Sequence, residues 1–184
     1  GETYIMNSKD MCMIDHVAEL MEAGLDSLKL EGRAKSAYYA AIVTGAYRHA
    51  IDAAAAGQPL DPVWRDEVEH ISHRHYSTGF YFGQPGQYTE NSRYVRDWKI
   101  VAKVQSCDEQ GNATLTLNNK FSVGDTLELV GPDVRPQTLT VEGLWDEAGE
   151  ALEQVCKPQM VFRMKLPQPV PPLSLLRRQA ELTP

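Results

Sequence analysis

Asp26-Ser27-Leu28-Lys29-Leu30-Glu31-Gly32-Arg33-Ala34-Lys35 is the stretch on which the fold turns. Leu28 and Leu30 alternate with Ser27, Lys29 and Glu31, the period of a short strand with one apolar face. Gly32 opens a turn, and over 35–56 the period becomes helical, with Tyr39, Ile42, Val43, Ala46, Tyr47, Ala50 and Ile51 forming one stripe of an alanine-rich run. Upstream, Asn7-Ser8-Lys9-Asp10 offers capping side chains ahead of Met11, Ile14, Val17, Ala18, Leu20 and Met21, and Ala23-Gly24 supplies a helix stop. Helix, strand and helix with short connections are the grammar of a β/α unit. One strand cannot make a sheet. Either this segment is the tail of a larger, TIM-like β/α barrel, or its helices pack against the β-rich second half of the chain in an α+β domain.

Downstream, Gly57-Gln58-Pro59 ends the long helix and Asp61-Pro62 opens a short one carrying Trp64, Val68 and Ile71 on one face. Residues 72–98 are dominated by glycine, tyrosine and phenylalanine, an ordered connector whose aromatics need burial. From Trp98 the period switches to two. Ile100, Ala102 and Val104 alternate with Val101, Lys103 and Gln105, and further short runs lie at 114–117, 126–130, 139–142 and 160–166. Turn signals at 109–112, 123–125, 131–133 and 147–150 separate them. Short strands at regular spacing with no helix between them predict a small antiparallel β-barrel, whose closure removes exposed edges. The expected division is 1–57 for the end of the β/α barrel, 58–98 for the connector, 99–172 for the β-barrel and 173–184 for an extended tail. The fold class is α+β.

Hydrophobic residues make up 42% and charged residues 23% of the chain, the mix of a globular protein. No run approaches the roughly 20 apolar residues of a membrane span. Residues 1–20 lack an apolar stretch with a small-residue cleavage site. The net charge of −7 disfavours non-specific nucleic-acid binding. Cys12, Cys107 and Cys156 lie far apart with no CxxC pair, which argues against a disulfide framework and for a reducing, cytoplasmic setting.

Glu31, Arg33 and Lys35 are the leading site candidates. Charged residues at the carboxyl end of a barrel strand face the reaction mouth, and two cations beside a carboxylate suit an anionic group. The competing reading is a solvated strand end with surface ion pairs. His70, His73 and His75 have no nearby cysteine to complete a zinc set, and Arg74 between them opposes a cation. No Gly-x-Ser-x-Gly elbow supports a serine nucleophile. The aromatics Tyr76, Phe80, Tyr81 and Phe82, with Arg74 and Arg93, suit either base stacking or the sealing of one domain onto another. The acidic β-rich part speaks against a phosphate-binding face.

Asn7-Ser8-Lys9-Asp10-Met11-Cys12, the stretch from Gly24 to Tyr39, and Ser72-His73-Arg74-His75-Tyr76-Ser77-Thr78-Gly79-Phe80-Tyr81-Phe82-Gly83 together resemble the collagenase-like peptidase family U32. Phe121-Ser122-Val123-Gly124-Asp125 resembles that family's carboxyl-terminal barrel. Ala34 stands where the family more often shows methionine. The family also includes RNA-hydroxylation and quinone-hydroxylation accessory proteins. The resemblance implies the carboxyl-terminal portion of a longer protein, itself non-catalytic, supporting substrate binding or protein interaction. The alternative it implies is part of an iron–sulfur-dependent tRNA or rRNA hydroxylation protein. Cys12 matches the last of four cysteine ligands to a four-iron cluster in such relatives, so the implied cluster belongs to the intact protein and none to this chain alone. The implied partners are the upstream part of the same protein and a polypeptide or RNA substrate; helices cut from a barrel would also expose an apolar face, from which self-association with a second copy of this chain, or packing onto the β-barrel, is expected.

Overall fold

The computed structural model describes residues 6–180 apart from 92 and 96. The chain divides into two compact units, Gly1–Asp97 and Trp98–Pro184. It is mixed α+β: a few helices, then an eight-stranded antiparallel sheet.

The first unit runs β1 (Asp10–Met11), a 3₁₀ turn (Ile14–His16), α1 (Val17–Glu22), α2 (Ala37–Ala55), α3 (Pro62–Glu67) and β2 (Tyr76–Ser77). The expected first helix starts later than its apolar period suggests. Asn7 and Asp10 do not cap it; they bond to a distant segment instead. Asn7 Nδ2 donates to Tyr88 O at 2.9 Å and Asn91 O at 2.8 Å, and the Asp10 carboxylate accepts Arg74 N–H at 3.0 Å. β1 and β2 pair in parallel, Asp10 opposite Tyr76 and Met11 opposite Ser77. Tertiary partners have outcompeted local capping.

The strand expected over 26–31 does not form. That segment runs without ladder partners and is mostly exposed. A strand needs a neighbour's N–H and C=O groups, and none of the described residues supplies them here. The helices around it form as the sequence dictates. Ser36 caps α2 by accepting Tyr39 N–H at 3.2 Å, and Tyr38, Ile42, Val43, Ala46, Tyr47 and Ala50 are its buried stripe. Each large member contributes roughly 1.5–3 kcal/mol through burial. Asp61 caps α3, accepting Val63 N–H at 3.1 Å with Pro62 in the first turn, and Trp64 stacks on His49 of α2 at 3.7 Å.

The second unit contains β3 (Trp98–Cys107), β4 (Asn112–Leu117), β5 (Phe121–Ser122), β6 (Thr126–Gly131), β7 (Val134–Thr140), β8 (Leu144–Trp145), β9 (Ala151–Leu152), β10 (Gln154–Val155), β11 (Val161–Lys165) and β12 (Leu175–Gln179). Eight of them form a sheet in the order β7-β6-β12-β3-β4-β11-β8-β9, and β5 pairs with β10 separately. Alternation buries Val104, Leu115, Leu117, Leu127, Leu129, Phe162, Met164 and Leu176 in one core. The turn into β4 requires Gly111. Its φ is +84°, and a Cβ there would sit 2.6 Å from Leu166 O.

Two expectations are corrected. Among the described residues the ladders do not close into a cylinder: β7 and β9 end the sheet. Pro136 on β7 lacks an N–H to donate, and β8 and β9 are two residues each, too short to carry a ladder around. Isolated bonds bridge the gap through the segment after β5, with Gly124 N–H donating to Val141 O and Val123 N–H to Glu153 O. The other correction concerns the tail. Leu175–Gln179 lies inside the sheet between β3 and β6, with Leu176 opposite both Ala102 and Leu129. Residues 181–184 of that expected tail fall outside the described residues.

Candidate functional site

The pairing of β1 with β2 brings two distant motif blocks together and starts the wall of a cavity. Cys12 N–H donates to Ser77 O at 2.9 Å and Asp10 N–H to His75 O at 3.1 Å. The stripe of α2 supplies Tyr39, Val43 and Tyr47, and the segment after α1 supplies Leu28 to Glu31. The cavity, open on one side, has a volume of about 450 Å³, with Asp10, Cys12, Lys29, Glu31, Lys35 and Tyr76 among its polar lining.

Three phenols set its chemistry. Burial first, and the Cys12 sulfur next, push the Tyr47 and Tyr76 hydroxyls well above the ordinary tyrosine range. Burial and then the Asp10 carboxylate raise Tyr39 as well. All three therefore remain protonated near neutrality, as donors rather than phenolates. Tyr76 Oη donates to Val68 O at 2.6 Å. Tyr47 Oη accepts Met13 N–H at 2.8 Å and donates to Cys12 Sγ at 3.8 Å.

The residues singled out from sequence separate. Glu31 and Lys35 line the cavity; Arg33 does not. Glu31 folds back to accept Arg33 N–H at 2.8 Å, and both side chains are exposed. Lys35 is already engaged: Nζ donates to Ser72 O at 2.9 Å and lies 4.1 Å from the centre of the Tyr94 ring. The histidines go separate ways. His73 Nδ1 donates to Arg74 O at 2.6 Å, His70 meets Glu67 and His75 packs on Tyr88. Sequence reasoning placed Tyr39 and Tyr47 in the core and did not see them as cavity residues. Their helical spacing is equally that of a buried stripe, and only the approach of Cys12 distinguishes the two.

A model of peptidase family U32 matches residues 1–91, and one of the peptidase family U32 C-terminal domain matches residues 96–177. The chain belongs to the U32 peptidase family and corresponds to its C-terminal region. It is 32% identical over 183 residues to tRNA hydroxylation protein P1 of Bacillus subtilis, covering 95% of this chain and 43% of that protein. It is 41% identical over 154 residues to tRNA hydroxylation protein P of Escherichia coli, covering 82% of this chain and 34% of that protein. A collagenase of Porphyromonas gingivalis is 28% identical over 137 residues, 70% of this chain and 38% of that protein. The chain thus spans less than half the length of each of these relatives. No helix among the described residues is long and apolar enough to cross a membrane.

Proposed function

We propose that this chain is the C-terminal part of a tRNA hydroxylation protein, its first unit walling the reaction chamber of a β/α barrel completed by the rest of that protein. The observation that carries this reading is Cys12, set on the cavity wall of a chain 41% identical to a tRNA hydroxylation protein. The parallel β1–β2 pair is the kind of pairing a β/α barrel uses. Peptide hydrolysis draws less support. The hydrogen-bond partner of Cys12 is a neutral phenol, which cannot take a proton from a nucleophile as an imidazole does.

Cys12 fits one position of a four-cysteine cluster cage. It is the one cysteine of the first unit, is partly buried, and accepts a hydrogen bond at sulfur, as cluster thiolates do. A four-iron cluster so held would supply one-electron chemistry. The chain's own residues orient the sulfur through Tyr47 and keep the lining phenols protonated. Glu31 and Lys35 face the chamber, while Arg33 stands outside it.

Nucleoside mass spectrometry of tRNA tests the reading in cells lacking the intact gene, or carrying it with Cys12→Ser. A hydroxylated nucleoside should disappear on deletion and fall in the variant. Unchanged tRNA hydroxylation with gelatin turnover by the intact protein would replace this reading with the peptidase one. Equal iron in the anaerobically purified intact protein and its Cys12→Ser form would remove the cluster assignment.

A further inference from the structure

Phe80, Tyr81 and Phe82 are consecutive and are 81%, 57% and 59% exposed. Water-facing aromatics in a row are costly to hydrate, and such patches mark interaction sites. They sit on a loop anchored at both ends to the same short segment. On one side, Cys12 N–H bonds to Ser77 O; on the other, Tyr88 N–H bonds to Asn7 O at 3.2 Å and Asn7 Nδ2 returns to Tyr88 O. Gly79 makes the tip possible: its φ is +60°, and a Cβ there would sit 2.9 Å from Met11 Sδ. Phe82 is braced against the His16 ring at 4.4 Å. Tyr81 lines the cavity as well as the surface.

We propose that Phe80 and Tyr81 form a stacking platform for an unpaired nucleobase of the RNA substrate, at the mouth of the Cys12 cavity. This rests on the tRNA reading and adds the surface that would present the base. Enzymes that act on a base draw it out of its stack into a pocket walled by aromatics. The cavity, about 450 Å³, lies within the size range of small-molecule pockets, roughly 300–1,000 Å³. Its lining selects a base over a phosphate. Asp10 and Glu31 oppose an anion beside Lys29, Lys35 is occupied by Ser72 O, and Leu28, Leu30 and Tyr39 offer apolar and aromatic surface to a neutral base. Stacking is sequence-tolerant and needs no positive net charge, which reconciles an RNA partner with a chain carrying −7.

The test uses the intact protein and fluorescence anisotropy on a short RNA hairpin with an unpaired loop, beside a blunt duplex of the same composition. Phe80→Ala and Tyr81→Ala should each weaken hairpin binding about 10-fold and leave duplex binding unchanged, the size of one lost base stack. Phe80→Trp should keep wild-type affinity. Unchanged hairpin binding by both alanine variants overturns the platform while leaving the tRNA reading standing. Equal losses for hairpin and duplex, or a loss in Phe80→Trp accompanied by a lowered melting temperature, also overturn it and assign the loop to packing within the intact protein. A wild-type protein that binds neither RNA overturns the platform and counts against the tRNA reading itself.

Discussion

Tyr47 bridges the Cys12–Met13 segment with one oxygen: it accepts Met13 N–H at 2.8 Å and points its own proton at Cys12 Sγ, 3.8 Å away. Helix α2 thereby fixes where the sulfur sits. Tyr47→Phe removes the oxygen and leaves the N–H of Met13, a residue only 6% exposed, without that acceptor. The variant should lose about 1–3 kcal/mol, the usual cost of an orphaned buried donor, read as a lower urea midpoint with unchanged slope. An unchanged midpoint would show that water replaces the phenol.

In the sheet, Glu128 and Arg177 face each other across β6 and β12. Arg177 is fully buried; its Nε and Nη2 reach Glu128 Oε2 at 3.0 and 2.7 Å, and its guanidinium lies 4.7 Å from the centre of the Trp98 ring. Glu128→Ala strips a buried cation of this carboxylate and should cost about 3 kcal/mol. Replacing both residues by leucine and methionine should cost less than the two single changes together, because the pair is coupled. Additive losses in chemical denaturation would refute the coupling.

That pair also shows where the sequence was legible and where it was not. Period-two alternation found β3, β4, β6 and β11 because each buries one face against a shared core, and its run at 139–142 caught only the end of β7, Val134–Thr140. It missed β12, since the prolines before it and the arginines within it look like solvent-bound tail. Arg177 and Arg178 are strand residues only because Glu128 and Asp125 wait across the ladder, a pairing that no local pattern records. The same limit explains β1, where Asp10 reads as a helix cap until Arg74 takes its carboxylate. Residues of the motif blocks, among them Cys12, Glu31, Lys35 and Tyr76, line the cavity, whereas the alternation of Leu28 and Leu30 suggested a strand that found no neighbour.

Acid should weaken the second unit partly through Asp108. The Asn112 side-chain amide, then the Asn112 and Gln110 backbone N–H groups, hold its carboxylate below the usual range of 3.8. The folded state thus binds this proton less readily than the unfolded state, so the contribution is present above the unfolded value and is lost as pH falls through the folded one. Urea midpoints recorded downward from pH 5 should drop for the wild type. The gap between wild type and Asp108→Asn should shrink across that window. A constant gap would exclude Asp108.

Lys35 and Arg33 allow the sequence-derived picture of an anion-binding strand end to be tested against the geometry. A cation whose job is to hold substrate should be dispensable for stability, and both residues should then behave alike. The structure separates them. Lys35 donates to Ser72 O and lies over Tyr94, whereas the Arg33 side chain is exposed. Lys35→Met keeps the aliphatic stem and deletes the charge, so it should lose about 2 kcal/mol from the charged hydrogen bond and the cation–π contact. Arg33→Ala should change stability by no more than about 0.5 kcal/mol. Thermal melts of the two variants decide the matter: equal melting temperatures would return Lys35 to the role of a free cation at the chamber mouth, and a drop confined to Lys35→Met identifies it as the tie between the start of α2 and the Ser72 loop.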